Sequence, residues 1–185
     1  MLGEFINVLD SNLAPISKKE SIRVHEKGLL HIAVRSLLVN DLHQVLLVQK
    51  KKDIYFSRSA FDLTISNDVL SDETPEETII NNLLINLNLK IDHAALIQIG
   101  TINEYRILKK NKYIDNTISQ IFLINRNVDE EEIRLNADKI NGFIWFDYID
   151  FVKKFFSINF GGINLVNRNK VYYRIFQVLG IPPLI

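Results

Sequence analysis

Glu73, Glu76 and Glu77 are side chains that could do chemistry: three carboxylates within five residues. Carboxylates at such spacing are what a hard divalent cation needs. The same residues also have a structural use. Thr74 is a good N-cap and Pro75 suits the first helical position. Glu77, three residues after the cap, completes a capping box, and all three carboxylates favour the positive end of a helix. Capping accounts for all three. His25 and His31 lie six residues apart near the start of an apolar strand. Lys50, Lys51 and Lys52 form a basic run, a pattern that usually marks a solvated turn. There is no cysteine, which removes disulfides, thiolate metal sites and a cysteine nucleophile together. A phosphate-binding glycine loop, a dinucleotide fingerprint and a serine elbow are also absent.

Several elements must position these groups. Ile79, Ile80, Leu83, Leu84 and Leu87 recur at helical spacing after Pro75, and Asn88 suits the left-handed position that ends such a helix. Before the helix, Phe61, Leu63 and Ile65 alternate as in a strand. Glu4 to Leu9 and Ser17 to Val24 read as the arms of a hairpin around D-S-N-L-A-P. Gly28 to Val39 and Gln44 to Gln49 read as strands around the turn Asn40-Asp41-Leu42-His43. Strands are also expected over Ala94 to Ile102, continuing past a kink over Glu104 to Ile107, and over Ile118 to Ile124 and the stretch up to Phe146. Asp147 is expected to cap a helix over Tyr148 to Phe156, and a last helix covers Val171 to Leu179 before Gly180 and two prolines.

The frame of residues 67 to 89 resembles the Nudix box: Gly, five residues, Glu, seven residues, then Arg-Glu-apolar-any-Glu-Glu-any-Gly-apolar. With Glu73 as the first Glu, the first Gly falls on Asn67 and the Arg-Glu pair on Asn81 and Asn82. The Glu-Glu pair falls on Ile85 and Asn86, and the last Gly on Asn88. Leu83 and Leu89 keep the apolar positions. Of the charged positions only Glu73 survives. The strand G-L-L-H-I-A-V and the late run ending F-I-W-F extend the likeness across residues 4 to 156. They are most similar to the isopentenyl diphosphate isomerase-like branch of the Nudix family.

The resemblance implies an α/β Nudix fold, a mixed β-sheet sandwiched between α-helices, in a single domain over residues 1–185. Residues 1–27 would be an N-terminal hairpin extension, 28–156 the core and 157–185 a C-terminal helical extension. The family hydrolyses phosphoanhydrides with Mg²⁺ or Mn²⁺ held by box carboxylates. Here Asn82 and Asn86 offer only neutral oxygens and Ile85 none, so no cofactor is expected unless the chain is still a hydrolase. The expected function is therefore a non-catalytic Nudix protein that binds a nucleotide-like or other phosphate-containing small ligand, or a protein partner. The alternative is a divergent hydrolase of a nucleoside diphosphate-linked substrate, with metal ligands relocated to Glu73, Glu77 and Asp115. For phosphate contact the resemblance singles out Lys50, Lys51 and Lys52; Tyr55 and Arg58 join them as an exposed aromatic and a cation in the loop that follows.

In the isomerases of that branch a metal is bound by two histidines, a box-loop histidine and two later glutamates. The corresponding residues here are His25, His31, Asp68 and Asp115, an N/O set of the kind zinc or manganese accepts; Glu73 is a further metal candidate. The histidine spacing is one residue off the isomerase pattern, which on a strand reverses facing. The isomerase cysteine position is Ser66 and its partner glutamate Thr117, so isomerase chemistry is not expected. Since Asn81 replaces the box Arg, Glu73 must be solvated or find another donor, with Lys50, Lys51 and Lys52 matching in sign.

A net charge of zero argues against nucleic acid as a partner. No apolar run approaches the roughly 20 residues of a membrane span. The N-terminus lacks a signal-peptide pattern, so the cytoplasm is the expected setting. A homodimer is implied by the family resemblance alone.

Overall fold

The run Val45-Leu46-Leu47-Val48 shows how one sheet serves two cores. Neighbouring strand residues point to opposite faces. Val45 and Leu47 enter one buried apolar cluster, and Leu46 and Val48 another. A strand apolar on both faces must be covered on both, so helices are needed above and below it.

The computed structural model describes residues 4–51, 60–108, 113–157 and 163–180. The chain begins with β1 (Phe5–Leu9), β2 (Pro15–Glu20) and α1 (Ser21–Lys27). Next come β3 (His31–Val39), β4 (Gln44–Lys50), β5 (Ala60–Asp62), β6 (Ile65–Asp68) and α2 (Pro75–Leu87). It ends with β7 (Leu96–Leu108), β8 (Tyr113–Asn125), β9 (Ile140–Asp147), α3 (Tyr148–Phe156) and α4 (Asn169–Leu179). β1 and β2 form a separate antiparallel hairpin. The other strands form one sheet in the order β5-β4-β3-β8-β7, with β6 added to β3 and β9 to β4. β3 and β8 run parallel and the remaining pairs antiparallel, so the sheet is mixed.

β3 touches β4 only at Leu38 and Val39; earlier it pairs with β6 instead, from Ala33 to Ser36. The two strands therefore splay, and the chain before α2 fills the opening. On one face Ile79, Leu83 and Leu87 of α2 pack on Val34, Leu38, Leu46 and Val48. On the other, Phe151 and Val152 of α3 and Val171, Tyr172, Ile175 and Phe176 of α4 pack on Leu37, Val45, Leu47 and Ile121. α2 starts at Thr74 with the expected capping box and ends at Asn88 in the left-handed region. Asp147 caps α3, accepting from the amide of Asp150.

The structure corrects the sequence reading at three places. The second hairpin arm stops at Glu20, and residues 21–27 form α1, so His25 is a helix residue. β7 is continuous from Leu96 to Leu108, its irregularity a register shift between Gln98 and Gly100. β8 starts at Tyr113, five residues earlier than expected, which puts Asp115 and Thr117 on the strand.

Gly28 ends α1 with φ of +60°, and a Cβ there would meet Ile114 Cγ2 at 2.9 Å. The amide of Gly28 bonds to the carbonyl of His25, so this turn fixes where α1 presents its histidine. Gly28→Ala therefore combines left-handed strain with a clash against β8. A loss of roughly 1–3 kcal/mol is expected, read from denaturant midpoints.

Candidate functional site

The face of the sheet that carries Leu37 and Ile121 changes character along its strands. Two residues at a time from Leu37 toward the start of β3 come Arg35, Ala33 and His31. From Ile121 toward the start of β8 come Ser119, Thr117 and Asp115, and β7 adds Glu104 opposite Thr117 and Arg106 opposite Asp115. By alternation these share one face, so an apolar half under α3 and α4 gives way to a polar, charged half.

That half holds a buried ion network. Arg35 Nε donates to Glu104 Oε2 at 2.9 Å, and Arg35 Nη2 lies 3.6 Å from Asp115. Ser119 Oγ donates to the same Glu104 oxygen at 2.5 Å, and Arg168 Nη1 lies 3.5 Å from the other. Arg168, the residue just before α4, also donates through Nε to Asp62 Oδ1 at 3.1 Å. Asp62 is 0% exposed, and Arg35 2%. Burial alone would raise the Asp62 carboxyl, but Arg168 and then Lys50 outweigh it and hold it at about 2. Burial likewise opposes ionisation of Glu104, and Arg35 and Arg168 bring it down to about 2. Such groups stay charged only because they are paired.

At the start of β3 a second cluster forms around Asp68, the last residue of β6. His25 Nε2 lies 2.8 Å from Asp68 Oδ2 and His31 Nε2 3.3 Å from Oδ1. Each Nδ1 faces a backbone carbonyl: Ile114 O for His25 at 3.3 Å, and Leu29 O for His31 at 2.8 Å. A carbonyl only accepts, so Nδ1 of each ring must carry the hydrogen. A neutral ring then turns a bare lone pair toward a carboxylate. Positive charge must fill that gap, as a proton on Nε2 or a cation between ring and carboxylate. Burial opposes the charged form of His31, but the hydrogen bond to Asp68 prevails and raises its pKa; the two histidines hold Asp68 below the carboxylate range. Ligand atoms of His25, His31 and Asp115 lie within 4.8 Å of one another, the only group of that kind among the described residues.

The histidine spacing, one residue off the isomerase pattern, reverses facing only if both residues lie on a strand. His25 comes instead from α1, where strand alternation does not apply, and its ring stacks on Tyr113 with centroids 4.1 Å apart. The structure thus brings His25, His31, Asp68 and Asp115 together. It keeps Glu73 and Glu77 apart from them. Glu77 is tied into the capping box. The Glu73 carboxylate accepts from Thr78 Oγ1 at 2.7 Å and from Asn81 Nδ2 at 2.8 Å. The residue in the box Arg position is therefore itself the other donor expected for Glu73, in place of the lysines that match in sign. The relocated set Glu73, Glu77 and Asp115 is not assembled. Lys50 turns inward, donating to the carbonyl of Ser66 at 2.7 Å and lying 3.6 Å from Asp62. Lys51 is half-buried, its amide bonded to the carbonyl of Lys139. Lys52, Tyr55 and Arg58 lie outside the described residues.

Sequence reasoning missed Arg35, Asp62, Glu104, Arg106 and Arg168. Arg35 was within reach, four residues after His31 on the same strand and so on the same face. Glu104 and Arg106 alternate in the same way. Nothing local marks Arg168 as the partner of a residue 106 positions away.

No family model matches the sequence. An uncharacterized Nudix hydrolase of Clostridium acetobutylicum is 25% identical over 186 residues, 97% of this chain and 88% of that protein. Among solved structures, a Deinococcus radiodurans protein superposes with a TM-score of 0.68 at 12% identity, covering 93% of this chain and 98% of its own. A MutT protein from Methanosarcina mazei gives 0.54 at 16% identity, over 80% of this chain and 89% of its own. The Nudix domain of Shewanella oneidensis NrtR, solved with ADP-ribose, gives 0.52 at 13% identity, over 80% and 87%. The chain has the fold of Nudix proteins and is similar in sequence to a Nudix hydrolase. The likeness does not single out a branch of that superfamily.

The Nudix box of this chain does not fit the metal that the family uses. Asn82 donates its amide to the carbonyl of Thr78, and its side-chain oxygen accepts from Asn86. Asn86 Oδ1 is buried without a partner, Ile85 is exposed, and Glu73 is shared between two donors. One neutral oxygen is far short of the charged oxygen set that Mg²⁺ requires. His25, His31 and Asp115 do fit a borderline metal: their ligand atoms lie within 4.8 Å of one another, each histidine Nδ1 is fixed by a carbonyl, and Asp68 bonds both Nε2 atoms.

Asp62 and Glu104 have folded values near 2, below their ordinary 3.8 and 4.5. Their contribution to stability is complete above the unfolded carboxylate range. It is lost as pH falls from about 4.5 toward about 2. Acid titration of wild type should show a falling denaturation midpoint in that window. Arg168→Met leaves both carboxylates poorly paired and should cost about 3–5 kcal/mol at neutral pH.

Proposed function

We propose that this chain is a Nudix-fold protein that does not carry out metal-dependent hydrolysis at its box, and that it binds a phosphate-containing small molecule over the polar half of its sheet. The state of α2 carries the first part. The helix that would present carboxylates presents Asn82, Ile85 and Asn86, and their amides are spent on the helix and on each other. The second part is supported by the guanidinium and ammonium groups of Arg35, Lys50, Arg106 and Arg168, which gather within or beside the same buried network. Cations of this kind suit phosphate oxygens. That the Shewanella oneidensis domain was solved with ADP-ribose makes a nucleoside diphosphate-linked ligand a sensible first trial. The homodimer implied by the family belongs to the same proposal, and a monomer by light scattering removes it.

The test is a turnover assay on ADP-ribose and nucleoside diphosphates with Mg²⁺ and then Mn²⁺. No release of product above the protein-free rate is expected. Metal-dependent turnover abolished by Glu73→Gln would overturn the proposal.

One observation favours a second reading, a hydrolase with relocated metal: the convergence of His25, His31, Asp68 and Asp115. Calorimetric titration of Mn²⁺ and Zn²⁺ into metal-stripped protein separates the two. Micromolar binding lost in His31→Ala, together with turnover that survives Glu73→Gln, would select the second reading. Absence of binding up to millimolar metal in folded protein would remove it.

A further inference from the structure

Arg106 is out of place by the rules that govern the rest of the network. Its Nη1 is buried and has no hydrogen-bond partner, and the side chain makes no ion pair among the described residues. The carboxylates around it are committed elsewhere. Glu104 gives Oε2 to Arg35 and Ser119 and Oε1 to Arg168. Asp115 lies nearest Arg35, and Asp62 is held by Arg168 and Lys50. Among the described residues no carboxylate bonds to Arg106. Burial and then the charge of Arg168 press against its charged form, and Asp115, Asp62 and Glu104 offset them only in part. A guanidinium cannot escape by losing its proton at ordinary pH, so an anion from outside would complete its pairing.

There is room for it. Arg106 and Arg168 line a cleft of about 250 Å³ between β7 and the start of α4, with Glu104, Tyr105, Asn167, Asn169 and Lys170 completing its wall. At about 30 Å³ per water this is space for roughly eight waters, enough for a tetrahedral anion and part of whatever carries it. Lys170 is exposed at the rim, and Asn167 and Asn169 bring amide groups to the same mouth. An orphaned guanidinium nitrogen in the wall of a cleft that a second arginine also lines is an incomplete site.

We infer that this cleft is a phosphate subsite, in which Arg106 takes two oxygens of a phosphoryl group through its planar fork and Lys170 neutralises charge at the rim. The inference rests on the proposed phosphate-ligand function and deepens it: the group recognised is the phosphoryl end, gripped on β7 and not at the lysine run after β4. No bond is made or broken in this step.

The test uses inorganic pyrophosphate as the probe, titrated calorimetrically into the full chain, with wild type compared with Arg106→Met. Binding to wild type that weakens as salt is added is expected, and Arg106→Met should weaken it by about tenfold or more. Because Arg106 Nη1 has no hydrogen bond to lose and burial opposes its charge, the melting midpoint of Arg106→Met should stay close to that of wild type. A second variant, Lys170→Ala at an exposed position, should weaken binding by a smaller factor without altering the fold. Equal binding to wild type and Arg106→Met, with loss in Lys51→Ala, overturns the subsite and leaves the phosphate-ligand reading standing. No binding to folded wild type at millimolar probe overturns both. A lowered midpoint in Arg106→Met with unchanged binding assigns Arg106 a structural role and overturns the subsite.

Discussion

The contact on which the rest depends is Arg168 lying between Asp62 and Glu104. Arg168 stands at the entrance to α4, Asp62 ends β5, and Glu104 is on β7, so one guanidinium ties the last helix to two distant strands. Each partner is almost fully removed from water. A buried pair of this kind adds little net stability compared with an apolar replacement, but losing one member is costly. It sets position more than it adds stability. With it in place, α4 covers only the apolar half of the sheet face, and the polar half stays open to a cleft.

The division of that face follows from strand alternation together with a change of residue type along each strand. Leu37 and Ile121 are buried under α3 and α4, while Arg35 and Ser119, two residues earlier on the same strands, face the ion network. The α2 face carries no charge over the same stretch: Val34 and Leu38 enter its apolar cluster, with the buried Ser36 between them. The helix at the box packs on this face through Ile79, Leu83 and Leu87. Its polar positions have turned inward to helix hydrogen bonds, and Glu73 keeps a local bond pattern with Asn81 and Thr78. Lost charge in the box and accumulated charge on the opposite face of the sheet mark where recognition is expected in this chain.

The histidine cluster belongs to neither feature but borders the polar half. Its hydrogen bonds leave a gap for positive charge between two imidazoles and Asp68, and a proton fills it as well as a metal would. The distinction lies in the affinity for metal. Proximity of Asp115 to both this cluster and Arg35 links the two polar assemblies across β8.

Much of the fold was legible in the sequence because its signals are local. The capping box at Thr74, the left-handed stop at Asn88, the Asp147 cap and the apolar alternation of β4 each depend on residues within one or two turns, and each appears in the structure. The weakness of the box was equally legible, since it needs only the identity of residues at fixed spacing. Tertiary structure decided the rest. Whether His25 faces His31 depended on α1 forming where a strand was expected. Whether Glu73 was free depended on the rotation of α2 that brings Asn81 to it. The network of Asp62, Glu104 and Arg168 could not be read from sequence, because buried charges pair by proximity in the folded chain and carry no fixed spacing along it. The sequence by itself determined most of the elements and that the usual box carboxylates are missing; only the tertiary structure decided that residues 21–27 form a helix, which charges are paired, and that among the described residues Arg106 bonds none of them.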